Sequence, residues 1–345
     1  MDNNFDVIIV GTGAAGLFAG LCLPVNLNVL MITKDKMENS DSYLAQGGIC
    51  TLKSADDFDA FYQDTLKAGR NENNPESVRI MIQQSPQIMK DLMDYGVKFD
   101  RDSEGNLAYT REGAHSEFRI LHHQDVTGKE ITSKLIRQVK LRNNITVIED
   151  ATMLDIISEN NKVSGIIMEN NSDIVQINAK VVILATGGIG GLFKHSTNFR
   201  HITGDSFAIA LRNNIQLENI NYIQIHPTAF YDESDDERRF LISESVRGEG
   251  GKLYNINGER FVDELQPRDV VSQAIFKEME KTNFPYVLLD ISFLDENYLK
   301  NRFSTIYNKC LEKGTDITKE PIKVSPAQHY FMGGIKVNLD SETSM

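Results

Sequence analysis

The stretch Asp6-Val7-Ile8-Ile9-Val10-Gly11-Thr12-Gly13-Ala14-Ala15-Gly16 decides how the rest of the chain is read. Val7 to Val10 are four β-branched residues without alternation, which is the pattern of a strand buried on both faces. The G-x-G-x-x-G that follows runs straight into an apolar helical stretch, and a second strand is expected from Asn28 to Thr33. Strand, glycine loop, helix and strand within about thirty residues open a Rossmann-type dinucleotide site. The glycines allow a backbone to approach a pyrophosphate, and the helix N-terminus adds N–H donors and partial positive charge. An NAD site usually ends its second strand on an acidic ribose ligand. Thr33 and Lys34 stand there, with Asp35 just beyond, which turns the reading toward FAD.

Composition narrows the classes. At roughly 150 residues per domain, 345 residues imply two domains, or one inserted in the other. Hydrophobic residues are 41% and charged residues 25%, the balance of a folded globular chain. Thirty-six basic against 49 acidic residues leave a net charge of −13, which argues against a nucleic-acid partner and obliges an anionic substrate to meet a local group of cations. Cys22, Cys50 and Cys310 show no metal-ligand spacing, so no metal is expected. The most apolar segment, residues 7–23, is interrupted by four glycines and preceded by Asp2 and Asp6, unlike a signal peptide. No other run approaches a membrane span, so a cytoplasmic chain without a membrane partner is expected.

Further along, Asn74-Pro75 opens a helix, and Ser85-Pro86 reads as a fresh cap with proline at the first helical position, with Ile88, Met89, Leu92 and Met93 as its apolar face and Gly96 as its end. Residues 129–143 form an amphipathic helix on Ile131, Leu135 and Val139. From 145 to 187 the period is that of short strands, with turns at Asn160-Asn161 and Asn170-Asn171, and a helical pattern follows Thr203-Gly204-Asp205. The acidic run Asp232 to Glu237 reads as a solvated loop.

Eight groups of residues gain meaning together: the first glycine loop, Ser42-Tyr43-Leu44-Ala45-Gln46-Gly47-Gly48, Ala185-Thr186-Gly187-Gly188, Thr203-Gly204-Asp205, and the later His226-Pro227-Thr228, Ser243 to Gly250, Pro267 to Val271 and Gln328 to Gly334. In that combination the chain resembles the fumarate reductase and succinate dehydrogenase flavoprotein superfamily from Val7 to Gly334. Arg111-Glu112-Gly113-Ala114-His115-Ser116 and Ala327-Gln328-His329-Tyr330 are most similar to its aspartate-oxidising branch. The resemblance implies an α/β fold: a Rossmann-type FAD-binding domain (1–219 and 330–345) with an inserted α+β capping domain (220–329). It implies FAD held by Gly11, Thr12, Gly13, Ala14, Ala15, Gly16, Lys34, Ser42, Ala45, Gln46, Gly47, Gly48 and Asp205. Succinate dehydrogenases tether FAD through a histidine before the Ala-Gln-Gly-Gly segment; here Asp41 takes that place and residues 36–48 contain no histidine, so a noncovalent flavin is expected.

The same resemblance assigns His226, Ser243, His329 and Glu112 to the substrate, and Arg268, Glu244 and Arg247 to proton transfer. Each histidine alone is more often a structural hydrogen-bonded residue, and that reading is kept for His122, His123, His195 and His201. Arg268 is expected at the start of a helix with Val270, Val271, Ala274 and Ile275 as its apolar face. A helix N-terminus disfavours a cation by only about 0.3–1 kcal/mol, too little to deprotonate arginine, so a carboxylate relay is required. Glu244 and Arg247, three residues apart, suit it. Glu112 would pair with the ammonium that separates aspartate from succinate. The implied reaction is oxidation of L-aspartate to iminoaspartate with oxygen or fumarate as acceptor and quinolinate synthase as metabolic partner. A soluble fumarate reductase and a non-catalytic flavoprotein are the rivals, the latter because family members extend beyond the position matching Met345 into a segment that clamps FAD.

Overall fold

The computed structural model describes residues 3–233 and 238–345. The opening segment forms the strand Asn4–Val10, the helix Ala14–Cys22 and the strand Val29–Ile32. Together with Ile145–Ile148 and Asp173–Leu184 they make a parallel set in which Asn4–Val10 lies between Val29–Ile32 and Asp173–Leu184. The strands Lys162–Asn170 and Ala151–Glu159 extend the sheet antiparallel, joined by tight turns. Asn160 and Asn161 take positive φ as the turn pattern predicts. The second turn falls on Asn171 and Ser172, one residue later than expected, because Asn170 still pairs with Asp173.

One face of the sheet carries Val7, Ile9, Val29 and Met31 against the helices Ala14–Cys22, Pro75–Asp94 and Thr127–Lys140. The other face buries Ile8, Leu30, Ile166 and Ile177 with Ile209 of the helix Asp205–Arg212. Every residue of Val7-Ile8-Ile9-Val10 is therefore in a core, as the unbroken apolar run requires.

Ser85-Pro86 does not start a helix. Pro75–Asp94 is continuous, capped at its start by the Asn74 side chain, which accepts from Glu76 and Ser77 N–H. Pro86 cannot donate to the Ile82 carbonyl, and the Ser85 hydroxyl takes that carbonyl instead at 2.8 Å. The expected end holds: Gly96 has φ +97, with Val97 N–H on Leu92 O and Gly96 N–H on Met93 O.

A second antiparallel sheet orders Ile223–Phe230, Ile322–Phe331, Val287–Asp290 and Lys252–Tyr254, and packs with the helices Arg268–Thr282, Glu296–Arg302 and Ser304–Glu312 around its own core of Leu253, Val271, Ile275, Phe303 and Ile306. Val270, expected on the apolar face of the Arg268 helix, is instead exposed, and the buried stripe is Val271, Ser272, Ile275 and Glu278. Ser234 to Glu237 of the acidic run lie outside the described residues, and Asp232 pairs with Lys313.

Candidate active site

The glycine loop sits at the carboxyl end of Asn4–Val10, in the crevice where such sheets receive dinucleotides. Gly11 has φ +111, and a Cβ there would stand 2.2 Å from Ala185 O; one on Gly16 would stand 2.0 Å from Gly11 O. Gly16 thus brings helix and loop into contact, while Gly11 brings the loop onto the Asp173–Leu184 strand. A cavity of about 1290 Å³ opens over this crossing, lined by Gly11, Thr12, Gly13, Ala15, Lys34, Asp41, Ser42 and Asp205 among others. Ser42 Oγ accepts the Ala14 N–H at 3.0 Å and fixes the second loop to the first. Ala14, Ala45, Gly47 and Gly48 line an adjoining space of about 220 Å³ that shares Ser42 with the large one. Gln46 is buried, with Oε1 left without a hydrogen-bond partner. The close-packed glycines, the cavity and this orphaned acceptor fit a dinucleotide such as FAD, whose pyrophosphate accepts backbone N–H and whose ring system donates.

Lys34 and Asp205 both line the cavity and form an ion pair, with Lys34 Nζ also donating to His201 O at 2.9 Å and Thr203 Oγ1 at 2.8 Å. His201, expected to be a structural histidine, itself lines the cavity.

The residues expected at the substrate come from five separate segments. His226 lies on Ile223–Phe230 where Pro227, lacking an N–H, interrupts regular pairing with Ile322–Phe331. It is fully buried, and its Nδ1 accepts the Thr228 N–H at 3.1 Å. The proton is therefore on Nε2, which is buried without a partner and free to donate. Burial, then Arg268, His329 and Arg247, push its pKa well below the ordinary histidine value, so this donor is neutral. The His329 ring centroid is 5.1 Å away. Its Nδ1 shares a hydrogen bond with Thr197 Oγ1 at 2.6 Å, and burial followed by Arg268 lowers its pKa to about 3.

Glu244 and Arg247 lie on the short helix Glu244–Gly248 and are both buried, which sets aside a surface ion pair. Arg268 Nε donates to Glu244 Oε2 at 2.5 Å, and Arg268 Nη1 donates to Gln224 Oε1 at 2.7 Å. Burial pushes the Arg268 pKa down, but Glu244, Tyr330 and Glu112 together outweigh it and keep the guanidinium above its ordinary value. Arg247 lies 3.7 Å from Glu244 Oε2 and donates through Nη1 to Glu264 O, leaving Nε and Nη2 buried without hydrogen bonds. Ser243 caps this helix, accepting from Ser245 N–H and sharing a hydrogen bond with Ser245 Oγ at 2.7 Å, so its hydroxyl is occupied by the helix that carries Glu244.

Glu112 completes the group. Its Oε1 is 3.1 Å from where a Gly47 Cβ would stand, and a Gly113 Cβ would stand 2.4 Å from Glu244 Oε1. Burial and then Glu244 raise the Glu112 pKa, opposed by Arg268, Arg302 and Arg247. Glu112, Glu244, Arg247, Arg268, His226 and His329 thus share one site beside the Gly47 loop. Gln224 was missed, although it lies two residues before His226 in a strand, on the same face. Arg302 gave no sequence signal because only the tertiary fold brings it near.

A dinucleotide cavity joined to a buried group of arginines, carboxylates and neutral histidines defines a flavin-dependent oxidoreductase. The FAD binding domain family matches residues 6–345. The L-aspartate oxidase of Clostridium perfringens is 55% identical over 340 residues, covering 99% of this chain and 77% of that protein; that of Clostridium acetobutylicum is 52% identical over 345 residues, covering 100% and 80%. The chain belongs to the L-aspartate oxidase family. Among solved structures, an Escherichia coli quinol fumarate reductase superposes with a TM-score of 0.92 at 30% identity, over 100% of this chain and 63% of that one.

Proposed function

We propose that the protein oxidises L-aspartate to iminoaspartate. The observation that carries this is the position of Glu112: an acid packed on Gly47 of the flavin loop, beside the Glu244–Arg247–Arg268 group whose two arginines suit a dicarboxylate. FAD, when bound, supplies the oxidant by accepting hydride from the substrate carbon and passing the electrons to oxygen or fumarate. His226 offers a neutral Nε2–H to a substrate carboxylate, and the unpartnered N–H groups of Arg247 offer charge-assisted donors. Glu112 pairs with the substrate ammonium. Arg268 holds or moves a proton at its guanidinium, and Glu244, hydrogen-bonded to its Nε, restores the charge state after each transfer. Ser243 serves by orienting the helix of Glu244 and Arg247.

The division into 1–219 and 330–345 for FAD and 220–329 for a capping domain is part of this reading, and the separate core around Leu253 and Phe303 supports it. So are a cytoplasmic reaction and quinolinate synthase as consumer of the unstable product; no helix among the described residues is long and apolar enough to cross a membrane. Anaerobic titration of the FAD-loaded protein with L-aspartate tests the proposal. Bleaching of the bound flavin is expected; no bleaching with aspartate, together with turnover of fumarate by the reduced protein, would establish a fumarate reductase instead.

A further inference from the structure

Beside the Arg111–Phe118 loop lies a charge cluster, built on a buried arginine and two half-buried aspartates, to which the proposed reaction assigns no role. The Arg119 side chain is 0% exposed. Its Nε donates to both Asp57 oxygens at 3.2 and 3.1 Å, and its Nη2 to Asp57 Oδ1 at 2.7 Å. Its Nη1 reaches Asp64 Oδ2 at 2.6 Å and His115 Nδ1 at 3.2 Å. Arginine only donates, so His115 Nδ1 is the acceptor and its Nε2 carries the proton, directed at Cys50 Sγ 3.5 Å away. Asp64 Oδ2 also accepts the Ser116 N–H at 2.8 Å and the Ser116 hydroxyl at 2.7 Å. Burial pushes the Asp64 pKa up, but the Ser116 and Arg119 hydrogen bonds outweigh it and hold the carboxyl below its ordinary value.

All these contacts converge on the loop that carries Glu112. The loop springs from the paired strands Tyr109–Thr110 and Ile120–Leu121, and the latter also pairs with Ile49–Cys50, which continues directly from Gly47 and Gly48. Inside the loop, His115 N–H reaches Glu112 O at 3.3 Å across Ala114, whose φ is +67. A non-glycine residue in that region costs roughly 1–2 kcal/mol, so the loop needs external support to keep its shape. Two carboxylates on one buried guanidinium are a poor device for stability alone, because desolvation offsets most of the Coulomb gain. What they provide is a fixed position.

We propose that the Asp57–Arg119–Asp64 cluster, acting through His115 and Ser116, is a positioning device that holds Glu112 against Gly47 and so sets the preference for a dicarboxylate bearing an amine over one without it. The proposal rests on Glu112 being the ammonium partner, and the experiment separates the two. Glu112→Gln, Asp64→Asn, Ser116→Ala and the Glu112→Gln/Asp64→Asn double variant are compared in the FAD-loaded protein for aspartate oxidation and fumarate reduction. Asp64→Asn is expected to raise KM for aspartate about tenfold with kcat and fumarate reduction within about twofold, and to add nothing further in the Glu112→Gln background. Ser116→Ala, which removes one exposed hydroxyl and will fold if Asp64→Asn does not, is expected to show the same split at roughly two- to fourfold. Tryptic cleavage after the exposed Arg111 is expected to quicken in both variants. Equal losses in the two reactions, or losses that multiply with those of Glu112→Gln, would overturn the positioning role while leaving Glu112 in place. If Glu112→Gln itself shows no selectivity for aspartate, the ammonium reading falls and the proposal falls with it.

Discussion

Glu112 and Asp41 are both acids held in places that disfavour their charge, and each gives a distinct expectation. With Glu112 as the proposed partner of the substrate ammonium, Glu112→Gln should remove a charge-assisted contact worth about 1.5–3 kcal/mol, or about ten- to a hundredfold in kcat/KM for aspartate. Fumarate has no ammonium and its carboxylates are repelled by Glu112, so fumarate reduction should be unchanged or improved. Burial and Glu244 raise the Glu112 pKa, so the acid limb of aspartate kcat/KM should lie above the ordinary carboxylate range and vanish in the Gln variant. A pH series on both enzymes checks this. Asp41 is different because no reaction needs it ionised. Burial lifts its carboxyl from 3.8 to about 6, opposed by the Phe199 N–H at 2.9 Å and by Arg238. A raised acid weakens the fold as it ionises: the cost is absent below about pH 4 and complete above about pH 6. Asp41→Asn, which keeps an acceptor for Phe199, should stabilise the FAD-free protein by about 2–3 kcal/mol at pH 8 and not at all near pH 4. Thermal melts at the two pH values decide it.

At the scale of elements, the Pro75–Asp94 helix shows how a local rule is overridden. Ser-Pro is a legitimate helix start, yet here it sits mid-helix because one hydroxyl mends what the proline breaks. Ser85 Oγ donates to Ile82 O and accepts the Leu52 N–H at 2.9 Å. Ser85→Ala should leave both groups unsatisfied at a buried contact and cost about 1–3 kcal/mol by chemical denaturation. Adding Pro86→Ala restores an N–H to Ile82 O and should recover part of that loss. The elements legible in the sequence were those whose signal is local and repeated: the Val7–Val10 run, the Ile131–Leu135–Val139 stripe, and the positive-φ asparagines at 160 and 161. The two-residue strands Ile49–Cys50, Tyr109–Thr110 and Ile120–Leu121 carry no period at all, and they pair only because distant segments meet. Ser243 was marked by motif as a candidate site residue, but its role as a helix cap depends on knowing that residues 244–248 are helical.

At the scale of the whole molecule, chemistry is assembled from parts of the chain that sequence order keeps far apart. The large cavity draws on the glycine loop, Lys34, Asp41-Ser42, the end of the Asp173–Leu184 strand, Asp205, and Gly333-Gly334. Sequence motifs identified the walls, but contact between walls, such as Lys34 with Asp205, needed the fold. The manner of flavin attachment is decided at this scale too. The absence of a histidine from 36–48 removes the familiar tether, but the fold brings a different histidine, His201, into the cavity wall. Its ring is stacked on Phe199 with centroids 5.4 Å apart and lies 3.6 Å from Asp35, and burial lowers its pKa. Its backbone carbonyl is also fixed by Lys34, so the residue is held by its surroundings on several sides. The expectation is therefore FAD bound wholly without a covalent link. Acid precipitation should release all the yellow colour into the supernatant, and before that treatment the melting temperature should rise with added FAD, as mass action requires for a ligand that binds only the folded state. Flavin retained in the precipitate would refute this, and loss of that retention in His201→Asn would identify the tether.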